Sequence, residues 1–209
     1  MSLSLLAPVI SLPPSVLPPF AIGFMGLGTG YLIYGPQELF GYPKRDASVN
    51  FATGMWGIWM PGLMQLIAGT YLFAGLVLFR TFNGAGIFVA ALAFTSYGVH
   101  WFGIGWNRLH GADPRANVGM TIGFLLISIL GIVAFFNTTP TDPPVAGLFI
   151  GLTCIYASDF FACLQKDIGR PGVLGERALG FFHLGTGFWL MYLMWADILN
   201  ATSKFSLPL

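Results

Sequence analysis

The stretch GAGIFVAALAFTSYGVHWFGI, residues 84–104, contains no Asp, Glu, Lys or Arg, yet it holds the hydroxyl side chains of Thr95, Ser96 and Tyr97 near its middle. An apolar helix of about 20 residues crosses the hydrocarbon layer of a bilayer, so the stretch reads as a membrane helix. The cluster Ala93-Phe94-Thr95-Ser96-Tyr97-Gly98 then falls where the bilayer is most hostile to it. Hydroxyls at that depth cost free energy unless they meet each other, a neighbouring helix, water or a solute. The pattern points to transport.

Five more apolar stretches, 18–36, 52–79, 116–136, 144–164 and 179–199, fill most of the remaining chain. Only 8% of the 209 residues are charged and 56% are hydrophobic, about a third of the charge that covers a soluble domain. The fold class expected is therefore an all-α membrane protein of six transmembrane helices. Its parts are a proline-rich lead-in (1–17), a six-span domain (18–200) and a short C-terminal tail (201–209), with the lipid bilayer as first partner. The first residues lack a basic start, and Pro13, Pro14, Pro18 and Pro19 follow them, so they read as a retained, partly extended lead-in and not as a signal peptide. A net charge of +1 argues against nucleic acid as a partner. Cys154 and Cys163 fall in one span about 13 Å apart along the helix, too far to bridge, and no zinc spacing exists.

Lys44, Arg45, Arg108, Arg115, Lys166, Arg170 and Arg177 fall on the face formed by the first, third and fifth loops, against Arg80 and Lys204 on the other. The positive-inside rule places that face in the cytoplasm and both termini outside it. Pro61-Gly62 interrupts the long second span, where a kink is expected. Gly26 and Gly30, Gly119 and Gly123, and Gly147 and Gly151 form small-residue ridges that allow close helix packing.

Asp159 is the most improbable residue, because a carboxylate inside a span costs on the order of 3 kcal/mol. It needs a partner or a proton. His100, Asp159 and His183 each lie about five residues inside their spans from the basic face, at a common depth of roughly 7 Å. They can share a wet vestibule that attracts an anion or relays a proton. The alternative is that each separately bonds a backbone carbonyl or snorkels to the interface. Asp197 belongs to the opposite face as a structural interfacial acid. Trp106 reads as an interface aromatic, whereas Tyr97 is too deep for that and its hydroxyl requires an interior partner. Thr95 and Ser96 can back-bond to carbonyls one turn earlier. An enzyme is not expected: Asp159 lacks a second nearby acid, no serine sits in a nucleophile motif, and no metal set or cofactor is implied.

Residues 93–98 followed by Trp101 closely resemble the third-span signature of the acetate uptake transporters, also called succinate-acetate permeases. Gln65-Leu66-Ile67-Ala68-Gly69 resembles that family's second-span Gln-x-x-Ala-Gly, and Leu27 between Gly26 and Gly28 its Gly-aromatic-Gly. Tyr192-Leu193 with Asp197 to Asn200 resembles its closing motif. The resemblance implies six helices around a pore in each subunit, hexamers, and a constriction at Leu27, Tyr97 and Leu152. Gln65, Thr95 and Ser96 are the expected polar lining for a small carboxylate solute, acetate or succinate, in the plasma (inner) membrane. Three departures stand out. The family's pore-mouth Asn-Pro-Ala-Pro is replaced by Pro18-Pro19-Phe20-Ala21, the stretch from Gln65 to Tyr97 is longer, and the family's termini are cytoplasmic, opposite to the charge count. A structural subunit of a larger membrane complex, beside other membrane subunits, and a channel for ammonia or urea are the alternative functions.

Overall fold

The computed structural model describes residues 19–138 and 141–208, so the lead-in and Pro18 of the altered motif lie outside the described residues. Six long helices follow one another: α1 (Pro19–Phe40), α2 (Ala47–Leu78), α3 (Ala85–His110), α4 (Pro114–Asn137), α5 (Pro143–Cys163) and α6 (Arg170–Thr202). A single helical turn, Gln165–Ile168, precedes α6. Local chemistry sets the ends. Gly41 and Gly111 take left-handed φ values of 71° and 62°, which closes α1 and α3 where a side chain would be strained. Asp46 and Asp142 accept hydrogen bonds from Val49 N (2.8 Å) and Val145 N (3.0 Å), capping α2 and α5.

Helices α2 to α5 are each long and apolar enough to cross a membrane by length and composition. α1 and α6 also carry polar side chains, among them Gln37, Glu38, Glu176, Arg177 and His183. Large apolar side chains face outward all around, among them Leu126, Phe181 and Phe188, each more than 60% exposed. Water would not tolerate that surface, whereas acyl chains do.

Four boundaries differ from the sequence reading by four residues or more. α1 runs on to Phe40 past Pro36, α2 begins at Ala47 and not at 52, α3 runs to His110 and not to 104, and α6 begins at Arg170 and not at 179. Hydropathy follows the bilayer, but a helix can continue beyond it, so the charged extensions at 37–40 and 170–178 read as loops. The expected break at Pro61 is absorbed by a π-helical turn, Ile58–Gly62, in which the Leu63 N–H reaches back to the Ile58 carbonyl. A wider turn satisfies the backbone around a residue that lacks an N–H.

Backbone contact between α1 and α6 organises the bundle. A Cβ on Gly35 would lie 3.1 Å from the Gly180 carbonyl oxygen, one on Gly180 would lie 2.4 Å from Leu39 N, and one on Gly187 would lie 3.3 Å from the Gly28 carbonyl oxygen. The antiparallel helices therefore touch along Gly28/Gly187 and Gly35/Gly180. Of the ridges read in the sequence, Gly26 and Gly30 pack on Met60, Pro61 and Met64 of α2, and Gly151 packs on Thr186 of α6. A Cβ on Gly119 or Gly123 would meet nothing within 4 Å among the described residues.

Gly180→Leu drives a branched side chain into backbone that cannot move aside, so a loss of at least about 2 kcal/mol, or roughly 6 °C in melting midpoint, is expected in detergent. Gly185→Ala, on the same helix at a position where a Cβ meets nothing within 4 Å among the described residues, causes no such loss. Equal behaviour of the two variants would refute the backbone seam.

Candidate functional site

Three side-chain layers follow from helical spacing on α1, α3 and α5, which run in the same direction. Leu27, Tyr97 and Leu152 form the first. Four residues further along each helix, hence about 6 Å higher, stand Tyr31, Trp101 and Tyr156. One or two turns above them come Tyr34 and Glu38 on α1, Arg108 on α3 and Asp159 on α5. All of these face inward.

The first layer lies in a narrow cavity of about 20 Å³, closed by Phe24, Phe94, Phe149 and other apolar groups. That is room for about one water, and the walls offer it no hydrogen bond, so the slot stays dry. Leu27, Tyr97 and Leu152 are each no more than 2% exposed. The hydroxyl of Tyr97 finds the interior partner it requires in Ser128 of α4, at 3.0 Å. Ser128 spends its own proton on the Phe124 carbonyl, so Tyr97 is the donor.

The upper layers line a wider cavity of about 290 Å³ that reaches the surface between Gly111, Ala112 and Pro114, on the face of the first, third and fifth loops. His100, Asp159 and His183 all line it, which brings the three sequence candidates into one vestibule. The structure adds partners that the sequence reading missed. His183 Nδ1 donates to Glu38 Oε2 at 2.5 Å, and the imidazole stacks on Tyr31 at a centroid distance of 4.5 Å. Arg108 lies 3.9 Å from Glu38, donates to Gln37 and to Thr53 Oγ1 (3.2 Å), and sits 4.0 Å above the centre of the Tyr34 ring. Arg45 pairs with Glu176 at 2.7 Å. The expectation that Asp159 has no second acid nearby is thus corrected, since Glu38 and Glu176 line the same cavity.

Just outside the cavity, Arg115 bridges Asp113 (2.6 Å) and Asp167 (3.1 Å), tying the α3–α4 turn to the turn before α6. The guanidinium holds the Asp113 carboxyl well below the usual carboxylate range. A depressed acid stabilises the fold above its ordinary value of 3.8 and loses that contribution as pH falls below it. Full exposure keeps the contribution small.

Gln65, Thr95 and Ser96 line neither cavity among the described residues. Gln65 is fully buried with neither amide atom bonded, and Thr95 Oγ1 has no partner. A Cβ on Gly69 would lie 2.4 Å from Thr95 Oγ1, and one on Gly98 would lie 3.0 Å from the Gly62 carbonyl oxygen. Close α2–α3 packing has turned this polar strip away from the slot. Asp197, at the opposite end of the bundle, lines neither cavity, and its Oδ2 is buried with no hydrogen-bond partner among the described residues. Trp106, 60% exposed, faces outward.

No family model matches the chain, and no curated protein matches it either. Among solved structures, one described as the bacterial acetate channel SatP matches with a TM-score of 0.68, covering 88% of this chain and 92% of that one at 18% identity. The chain therefore has the fold of that protein. Together with the apolar surface and the spanning helices α2 to α5, this makes it an integral membrane protein.

His183→Ala leaves Glu38 facing the interior without its closest donor, and a loss of about 3 kcal/mol in detergent stability is expected. The double variant Glu38→Gln, His183→Gln removes both formal charges and loses less than the single one. A double variant that is worse than His183→Ala would show that the pair does not act as a unit.

Proposed function

We propose that this chain passes small monocarboxylates of acetate size, with succinate as a second candidate, through a hydrophobically gated pore in each six-span subunit. The observation that carries the proposal is the sequence of layers along one path: a charged vestibule, an aromatic polar floor and a dry slot at Leu27, Tyr97 and Leu152. A solute must shed water to enter such a slot, which admits a small molecule with an apolar end and delays hydrated ions. The fold shared with an acetate channel supports this reading, as does the third-span signature. Hydrogen bonds that replace lost water come from the floor above the slot, because Tyr97 is committed to Ser128 and Thr95 to the α2–α3 seam. No cofactor takes part. The subunits assemble as a hexameric ring in the plasma (inner) membrane, and the open Gly119–Gly123 ridge of α4 is available for contacts between copies.

Labelled acetate should enter proteoliposomes holding the protein several-fold faster than protein-free vesicles. Leu152→Trp, which fills about 20 Å³ of slot, should reduce the added flux at least tenfold, and Tyr97→Ala should raise it. Flux no greater than in protein-free vesicles would favour the accessory-subunit reading, and flux of urea or ammonia in place of acetate would favour the third. A particle of single-subunit mass in mild detergent would remove the ring.

A further inference from the structure

The vestibule floor holds polar atoms that the fold leaves unused. Tyr31 and Trp101 are 1% and 2% exposed, and Tyr31 Oη, Trp101 Nε1 and His100 Nε2 have no hydrogen-bond partner among the described residues. An indole N–H can only donate, and a phenol serves most readily as a donor. Buried donors without acceptors are expensive, so a ligand carbonyl is the natural complement.

Asp159 is the one acid lining the cavity that has no cation within ion-pair distance among the described residues. Arg45 is taken by Glu176, and Arg108 and His183 are taken by Glu38. Asp159, one turn above Tyr156, has among the described residues only the weak Cys163 thiol, with Sγ 3.5 Å from Oδ1. An anion reaching the floor stands beside a carboxylate that no cation contacts. A molecule that offers a carbonyl oxygen together with a proton-bearing oxygen or nitrogen satisfies both sides.

We propose that the vestibule floor is a subsite for an uncharged carboxyl group, with Trp101 and Tyr31 donating to its carbonyl oxygen and Asp159 accepting from its O–H. The undissociated acid, not the carboxylate, is then the form that meets the slot. A methyl group pointing from this subsite enters the apolar layer of Leu27, Tyr97 and Leu152 about 6 Å below. The proposal rests on the transport reading above and deepens it. The other ionisable groups lining the cavity with Asp159 are Tyr31, Tyr34 and Glu38 of α1, Arg45 before α2, His100 and Arg108 of α3, Tyr156 and Cys163 of α5, and Glu176 and His183 of α6.

Acetamide is the probe, because it carries a carbonyl beside N–H donors, has the shape of acetic acid and does not ionise. In detergent-solubilised wild-type protein, saturation-transfer NMR should show the acetamide methyl bound. Trp101→Phe and Asp159→Asn should each reduce that signal at least fivefold, while Trp106→Phe, on the outer surface, keeps it; melting curves verify that each variant is folded. In proteoliposomes, acetamide should compete with labelled acetate, and protein-mediated acetate flux should follow the undissociated fraction, falling about tenfold per pH unit above pH 6. An acetamide signal equal in wild type and both floor variants, or no signal in the wild type, overturns the subsite. Acetate flux independent of pH and untouched by acetamide overturns it while leaving transport standing. A specific acetamide signal without acetate flux removes the transport reading and leaves the subsite.

Discussion

Everything at the site depends on the backbones of α1 and α6 touching. In a bilayer, helices gain nothing from hiding apolar surface from each other, since lipid is equally apolar, and close packing of small residues supplies the attraction instead. Gly28 and Gly35 meet Gly187 and Gly180 over two turns of antiparallel helix. Three residues beyond Gly35 stands Glu38, and three beyond Gly180 stands His183. Helical side chains lean toward the N-terminus of their own helix, so on antiparallel neighbours these two lean toward each other. The ion pair follows from the glycine seam. A larger residue at Gly180 would push the helices apart, and with them Glu38, Arg108 and the vestibule wall.

The layered path expresses a division of labour along the helices. At the loop face, carboxylates and guanidinium groups pair across α1, α3 and α6 around a cavity large enough for many waters. At the first layer, every wall is apolar and the only hydroxyl is turned away to Ser128. Between them the aromatic floor combines ring surface with donors, so the polarity falls in steps of one helical turn. Under the proposed function, a solute leaving water exchanges its hydrogen bonds gradually across these steps, and one that is not satisfied at the floor stops before the slot.

Much of this was legible in residues 84–104 and the stretches around them. The helical class follows from hydropathy alone, because only helices satisfy their own backbone over such a length in lipid. The common level of His100, Asp159 and His183 was legible from depth, since residues equally far from one rim stand at one level whatever the packing, whereas their facing one cavity was decided by the packing. Leu27, Tyr97 and Leu152, grouped by the family resemblance and not by depth, line one slot. Glu38 and Arg108 were missed as site residues because they lie at helix ends that hydropathy assigns to loops, although their burial makes them the walls of the cavity. The floor was present as a four-residue step from each slot residue, a signal that becomes readable only once the slot is known.

Angular position is what the sequence by itself left open. Rise per residue is a property of one helix, so depth, span length and the cost of a buried carboxylate were determined by the chain. The direction in which a side chain points depends on which neighbour each helix face selects, and that is a property of pairs. Thr95 and Ser96 stand at the right depth to meet a solute, yet Gly69 and Gly98 draw α2 so close to α3 that this face is covered. Of the glycine ridges, α1 and α5 spend theirs inside the chain and α4 leaves its own open. Tertiary structure alone made those choices, because close approach of two backbones is decided by both surfaces at once.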